Sequence, residues 1–222
     1  MKPTFIALLA LCLCLHVAVS AEDTYLDTLV KLRVPKKESK RSTEGGLGHV
    51  PFRIWLPEGV KTIRGVTFNP FYTKAVMQKH WQADCRQWGF GILAANFFGA
   101  KNDEIPGMID VALTTFAKES GHGELAQAKL CPVGMSAGAG MSTRIAKHLP
   151  ERVIAVGPVC LEVGPRDAKS MEIPMLTVFG DRDGKQYEKL MAKLPDARPR
   201  AVGLVLRRNG AVNMNLPGPI IS

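Results

Sequence analysis

Short apolar runs alternate with longer amphipathic stretches along most of the chain, and this pattern predicts strands that take turns with helices. Residues 50–56 alternate apolar and other side chains, as expected for an outer strand. Six further apolar runs predict buried strands: residues 63–68, 90–96, 152–156, 175–179 and 201–206, and a run that starts at Lys129.

Helical patterns lie between these runs, and they decide the predicted fold class. The predicted helices cover residues 74–88, 105–118, 141–148 and 186–193, with a further short helix near residues 25–32. Strands that alternate with helices predict an α/β fold with a doubly wound, mostly parallel sheet. In such sheets the ligand site lies at the carboxyl ends of the strands.

The first residues of the chain have the composition of a secretory signal peptide. Lys2 is followed by an uncharged run over residues 5–19 and by small residues up to Ala21. We therefore expect residues 1–21 to be removed, the protein to be secreted or periplasmic, and no stable membrane insertion to remain. A single membrane anchor is the alternative, although this apolar run is short for a bilayer.

The remaining chain is predicted to hold one domain. Residues 22–48 are polar and are expected to form a mobile N-terminal segment, residues 49–206 the α/β domain, and residues 207–222 an irregular tail. The formal net charge is +9, but the basic residues are scattered without interleaved aromatic residues, so nucleic-acid binding is not expected. Cys85, Cys131 and Cys160 provide no disulfide framework, and no Cys/His cluster has the spacing of a metal site. No cofactor is expected.

One motif carries chemistry. Gly134, Ser136 and Gly138 form a G-x-S-x-G pattern between a predicted strand and a predicted helix, as in a nucleophile elbow. A serine on so tight a turn needs neighbours with almost no side chain, and Ala137 leaves its backbone N–H open to a developing oxyanion. The alternative is a serine that only caps the helix. A phosphate-binding loop fits less well because no Gly-Lys-Ser/Thr follows.

The elbow, the strand order and the sequence Phe-Gly-Asp-Arg-Asp-Gly after the strand at 175–179 together resemble the α/β-hydrolase family. The resemblance covers residues 50–206 and is closest to small secreted bacterial esterases related to dienelactone hydrolases and polyester depolymerases. It implies Ser136 as the nucleophile and Asp183 as the acid, with Asp181 and Glu162 as alternatives. It also implies oxyanion donors at the backbone N–H of Ala137 and of Phe71 or Tyr72.

Four aromatic residues at predicted strand ends have two interpretations. Phe71, Tyr72, Phe97 and Phe98 either line an acyl pocket or belong to the ordinary core.

The histidine that the family places after the last strand has no counterpart. The chain contains His16, His49, His80, His122 and His148, and none follows Asp183. Helix and strand lengths place His148 roughly 18 Å and His122 roughly 20 Å from the serine. We therefore expect that the chain ends early or is altered after Leu206, or that it is an inactive paralogue.

The resemblance implies a secreted serine hydrolase of esterase type. It would act on a small-molecule or polymer ester through an acyl-enzyme on Ser136. The alternative is a catalytically inactive binding protein that keeps the fold. A membrane-anchored structural protein is a third interpretation.

Overall fold

The computed structural model describes residues 22–33, 46, 48–160, 172–180, 188 and 202–207. The described residues include an eight-stranded sheet with the spatial order β1-β2-β4-β3-β5-β6-β7-β8. The strands are β1 (Thr24–Lys31), β2 (His49–Leu56), β3 (Gly65–Asn69), β4 (Phe90–Ala95), β5 (Leu130–Met135), β6 (Gly157–Val159), β7 (Met175–Gly180) and β8 (Val202–Arg207).

Three α-helices connect these strands: α1 (Lys79–Trp88), α2 (Ile105–Ser120) and α3 (Ala137–His148). Short 3-10 helices precede or join them at Thr73–Met77, Asn102–Glu104 and Gly123–Gln127. None of the helices in the described part of the chain has the length and apolarity that a membrane span requires.

The sheet is parallel except at one end. β1 pairs antiparallel with β2, and β2 pairs antiparallel with β4. From β4 through β3, β5, β6 and β7 to β8 every pairing is parallel. The predicted doubly wound and mostly parallel sheet is confirmed, and β5 lies in its middle with parallel neighbours on both sides.

Both faces of the sheet are covered around β2 and β4, which is why these strands read as apolar runs. One face packs against α1 and the preceding 3-10 helix through the buried residues Trp55, Ala75, Val76, Cys85, Ile92 and Ala94. The other face packs against α2 and α3 in a larger core that includes Phe52, Phe68, Leu93, Ile109, Phe116, Met141 and Ile145.

The sequence of α2 shows why this segment is helical. Its buried residues recur three or four positions apart and so form a single face: Ile105, Met108, Ile109, Ala112, Leu113, Phe116 and Ala117. Pro106 stands in the first turn, where its missing N–H costs nothing. Gly121 ends the helix in the left-handed conformation, at φ 76°, which glycine adopts without strain.

The predicted helix near residues 25–32 is wrong. This segment is β1, and its residues pair with β2 from Thr24↔Leu56 to Lys31↔His49. The inward positions Val30 and Leu32 are buried, whereas Leu29 is exposed. A partner strand supplies the backbone hydrogen bonds here, and that pairing overrides the local helical pattern.

Three further boundaries differ from the predictions. The expected strand at residues 152–156 contributes only isolated bridges at Val153 and Val156, and the strand itself is β6, which contains Pro158. The expected helix at 74–88 is divided at Gln78 into a 3-10 helix and α1. The elbow helix begins at Ala137, directly after Ser136, and not at residue 141.

The strand predicted at 175–179 is confirmed as β7, and the strand predicted at 201–206 is confirmed as β8, with a shift of one residue. The expected signal peptide, the tail at 207–222 and almost all of the helix predicted at 186–193 lie outside the described residues.

Thr177 gives a first testable prediction. This residue of β7 is fully buried, and among the described residues its hydroxyl has no hydrogen-bond partner. A buried, unpaired hydroxyl costs free energy that an isosteric apolar group does not. We expect Thr177→Val to raise the free energy of unfolding by about 1 kcal/mol in urea denaturation.

Thr143→Val is the matched control for that substitution. The Thr143 hydroxyl donates to the carbonyl oxygen of Gly140 at 3.0 Å, so its removal is expected to lower stability. A loss of stability in both variants would show that the Thr177 hydroxyl is paired after all.

Candidate functional site

The serine of the G-x-S-x-G motif lies on a strained turn at the carboxyl edge of the sheet. Ser136 is the residue between β5 and α3, with φ 53° and ψ −118°. Among the described non-glycine residues, only Cys160, which directly follows the neighbouring strand β6, also has a positive φ. Such a conformation costs about 1–3 kcal/mol and persists only where the surrounding structure holds it.

Gly134 permits this turn because no side chain fits at its position. A Cβ atom on Gly134 would lie 2.4 Å from both the carbonyl carbon and the carbonyl oxygen of Gly138. Gly138 itself is less restricted, since a Cβ atom there would meet only the Cβ of Phe71, at 3.7 Å. The expectation that both flanking positions need glycine for steric reasons therefore holds for Gly134 alone.

Backbone hydrogen bonds fix the turn from both sides. The Ser136 N–H donates to the carbonyl oxygen of Val159 in β6 at 3.0 Å. The Ser136 carbonyl oxygen accepts from the N–H groups of Ala139 and Gly140 in the first turn of α3. The hydroxyl makes no capping hydrogen bond to α3, and Ser136 is exposed, so a helix-capping role does not account for the serine.

The backbone N–H of Ala137, the predicted oxyanion donor, lies at the N-terminus of α3. Ala137 is exposed and is the first residue of α3, where backbone N–H groups have no partner inside the helix. Among the described residues, no hydrogen bond from this N–H is observed. The positive end of the helix dipole adds to its attraction for a developing negative charge.

The other predicted oxyanion donors are engaged. The N–H groups of Phe71 and Tyr72 both donate to Oδ1 of Asn69, at 3.1 and 2.9 Å. Asn69 is the last residue of β3 and is only 5% exposed. Sequence reasoning missed Asn69, although the Asn69-Pro70 dipeptide is a turn signal that singles it out.

The four aromatic residues at the strand ends divide into two groups. Phe97 is fully buried and packs edge to face against Phe52 and Phe68, so it belongs to the core. Phe71 and Phe98 are half-buried, with ring centroids 6.0 Å apart. Tyr72 is 46% exposed beside them. An apolar wall therefore stands at the carboxyl edge next to the elbow.

Cys131, in the same strand as the motif, is not a competing nucleophile. Burial, with a smaller contribution from Cys85, raises the pKa of the Cys131 thiol to about 11. At neutral pH it is a neutral thiol, whereas the thiolate is the reactive form.

The acid of the site falls outside the described residues. Asp183 and its alternatives Asp181 and Glu162 all belong to segments that the structure does not describe, so the acid remains a prediction. Within the described ranges no three His, Cys, Asp or Glu side chains form a group able to hold a metal ion.

None of the described histidines lies beside Ser136. His148 ends α3, so the twelve residues of that helix separate it from the serine by roughly 18 Å. His80 stands in the first turn of α1, which packs against β4, and β3 separates β4 from β5 by about 10 Å. His49 begins β2 at the carboxyl edge, three strands from β5 and hence about 14 Å away.

His122 has a structural partner at the opposite edge of the sheet. It precedes the 3-10 helix Gly123–Gln127, and its Nδ1 lies 3.0 Å from Oε1 of Glu124. The same carboxylate oxygen accepts the Ile63 N–H at 2.7 Å. These contacts connect the loop before β3 to the loop before β5. His122, Glu124 and the Ile63 N–H thus form a hydrogen-bonded cluster that stabilises the fold away from Ser136.

This cluster predicts a pH dependence of stability. Burial acts to raise the pKa of Glu124, but the hydrogen bonds from Ile63 and His122 outweigh it and hold the pKa below its ordinary value of 4.5. A carboxyl group whose pKa is lower in the folded than in the unfolded protein stabilises the fold at pH values above its unfolded-state pKa. This stabilisation is lost as the pH falls through its folded-state pKa. We expect Glu124→Gln to lose this component of the acid dependence, measured by urea unfolding from about pH 6 to about pH 3.

Glu119→Gln, at an exposed position of α2, is the control for that measurement. An acid dependence that is the same in Glu124→Gln and in wild type would contradict the role of the Glu124 carboxylate.

Comparison with known proteins identifies the fold. No protein-family model and no curated protein matches the sequence. Solved structures of esterases do match the fold. A ferulic acid esterase aligns with a TM-score of 0.58 at 10% identity, over 86% of this chain and 93% of that one.

Two further matches are similar. The feruloyl esterase module from Clostridium thermocellum complexed with sinapinate aligns with a TM-score of 0.56 at 8% identity, over 85% of this chain and 81% of that one. A thermostable esterase aligns with a TM-score of 0.51 at 13% identity, over 84% of this chain but only 55% of its own length. The chain thus has the α/β-hydrolase fold, as the sequence predicted, and spans about half of the last of these proteins.

Proposed function

We propose that this protein is a serine hydrolase of the carboxylic-ester type, with Ser136 as its nucleophile. The observation that carries the proposal is the strained backbone of Ser136 between β5 and α3, at an exposed residue whose hydroxyl is not used as a cap. A fold keeps such strain where the geometry serves a site. The esterase activity of proteins with the same fold supports this choice of reaction.

The proposed reaction begins with attack of the Ser136 oxygen on the ester carbonyl carbon. The alcohol leaves, an acyl-enzyme forms on Ser136, and water then releases the carboxylic acid. The Ala137 N–H stabilises the oxyanion of each tetrahedral intermediate, and Asp183 is proposed as the acid that orients the base. The half-buried pair Phe71 and Phe98 offers a surface for a small ester with an apolar or aromatic acyl group.

The general base is the unassigned member of this mechanism. The described histidines nearest to this edge lie on other parts of the fold, with His148 at the far end of α3 and His80 in α1. This observation favours a second candidate, a binding protein that keeps the fold and the apolar wall without turnover. The first residues of the chain support secretion in both cases, and we propose that the protein acts outside the cytoplasm.

A fluorophosphonate probe separates the two candidates. The probe forms a covalent bond with an activated serine and releases fluoride, so mass spectrometry detects the adduct on the peptide that contains Ser136. We expect one adduct on the wild-type chain and none on Ser136→Ala. Absence of the adduct from folded wild-type protein would contradict the hydrolase and support the binding protein.

A further inference from the structure

Two asparagines end neighbouring strands at the carboxyl edge and hold the loops that follow. Asn69 is the last residue of β3, and Asn96 directly follows β4. Oδ1 of Asn69 accepts the N–H groups of Phe71 and Tyr72 at 3.1 and 2.9 Å, while Oδ1 of Asn96 accepts the N–H of Phe98 at 3.1 Å. The same side-chain device thus shapes both loops.

These two loops also contact each other and the elbow. The Phe97 N–H donates to the carbonyl oxygen of Pro70 at 3.2 Å, and the rings of Phe71 and Phe98 meet edge to face. On the other side, the Cβ of Phe71 is 3.7 Å from where a Cβ on Gly138 would stand. Phe71 therefore fills the space between the loop after β4 and the first turn of α3.

Two backbone N–H groups of the loop after β3 share a single acceptor atom. Asn69 is 5% exposed, and its Oδ1 is the acceptor for two consecutive backbone N–H groups in the described structure. Both hydrogen bonds are part-buried, so loss of this oxygen leaves two backbone N–H groups to pair with water or with a new acceptor. A new loop conformation would move Phe71 away from Gly138 and from Phe98.

We propose that Asn69 is a positioning residue of the Ser136 site. Its Oδ1 fixes the directions of the Phe71 and Tyr72 N–H groups and holds Phe71 between Phe98 and the first turn of α3, the helix that begins directly after Ser136. The effect on reaction at Ser136 rests on the proposed function. The effect on the loop does not, so the two are tested separately.

Two variants of nearly the same shape test the proposal. Asn69→Asp keeps an oxygen acceptor, whereas Asn69→Leu removes it. We expect amide hydrogen exchange at Phe71 and Tyr72, followed by NMR, to accelerate at least about tenfold in Asn69→Leu and to stay near wild type in Asn69→Asp. Unchanged exchange in Asn69→Leu would overturn the proposal, and Asn69→Ala replaces this variant if leucine prevents folding.

The rate of fluorophosphonate labelling at Ser136 is the second readout. We expect the labelling rate to fall at least about tenfold in Asn69→Leu and to be retained in Asn69→Asp. Because the two side chains are similar in size, this difference would tie the effect to the oxygen acceptor. Equal losses in both variants would overturn the positioning role. If wild type is not labelled, the proposed function fails, and the exchange measurement still decides the role of Asn69.

A double-mutant cycle with Phe98→Leu tests whether Asn69 acts through the contact between the Phe71 and Phe98 rings. If Asn69 acts through the contact between Phe71 and Phe98, the effects of Asn69→Leu and Phe98→Leu on loop exchange are not additive. Additive effects would overturn the role of this contact.

Discussion

Hydrolysis of a short-chain nitrophenyl ester is expected to fall at least about 100-fold when Ser136 is replaced with alanine. In the proposed mechanism the acyl group is carried by the Ser136 oxygen, so the proposed acyl-enzyme cannot form without it. The fold is expected to remain intact, because alanine at this exposed position removes no hydrogen bond that the Ser136 side chain makes to α3. Initial rates on the purified protein measure the effect.

Ser120→Ala is the matched control for this loss. Ser120 is the last residue of α2, the helix that leads from β4 to the start of β5, so it lies at the edge of the sheet opposite Ser136. Its hydroxyl donates to the carbonyl oxygen of Phe116. We expect its rate to equal that of wild type. Equal rates for wild type and Ser136→Ala would instead contradict the esterase proposal and leave the binding protein as the better account.

Replacement of Gly134 with alanine is expected to have the largest effect on folding. The new Cβ atom would lie 2.4 Å from two backbone atoms of Gly138, and neither can rotate away as a flexible side chain can. β5 and α3 would have to separate, and both pack into the main core through Leu130, Met141 and Ile145. We expect the free energy of unfolding to fall by at least about 3 kcal/mol in urea denaturation followed by tryptophan fluorescence.

Gly138→Ala provides a control within the same motif. A Cβ atom at Gly138 makes an ordinary contact with Phe71, and alanine is a better helix former than glycine. We expect Gly138→Ala to be neutral or to stabilise by up to about 1 kcal/mol. Similar destabilisation in both variants would show that the close approach at Gly134 is not what distinguishes these glycines.

The elbow was predictable from sequence because its determinants are local. A tight strand-to-helix turn around a serine needs glycine at the crowded position, and Gly134 lies within the same five-residue motif as Gly138, whose backbone it accommodates. The parallel sheet was also predictable, because strands covered on both faces appear as apolar runs between helices.

The errors concern contacts between residues far apart in sequence. β1 is a strand because β2 pairs with it along its whole length, and residues 25–32 carry no local sign of that partner. β6 is set by its register with β5, Gly134↔Pro158, and it contains a proline, a residue that is uncommon inside a sheet. The miss in the site is instead local: Asn69 accepts the N–H groups of Phe71 and Tyr72, which follow it closely in the chain, and the Asn69-Pro70 turn signal could have indicated it.

The placement of β5 between β3 and β6 has a consequence for the order of folding. β3 is separated from β5 along the chain by α1, β4 and α2, so their pairing must wait for a long loop to close. The Ser136 N–H, in turn, finds its acceptor Val159 only once β6 has joined the other side. The strained turn is therefore expected to form late in folding, after the strands on both sides of it, and not to exist in an isolated peptide of this segment.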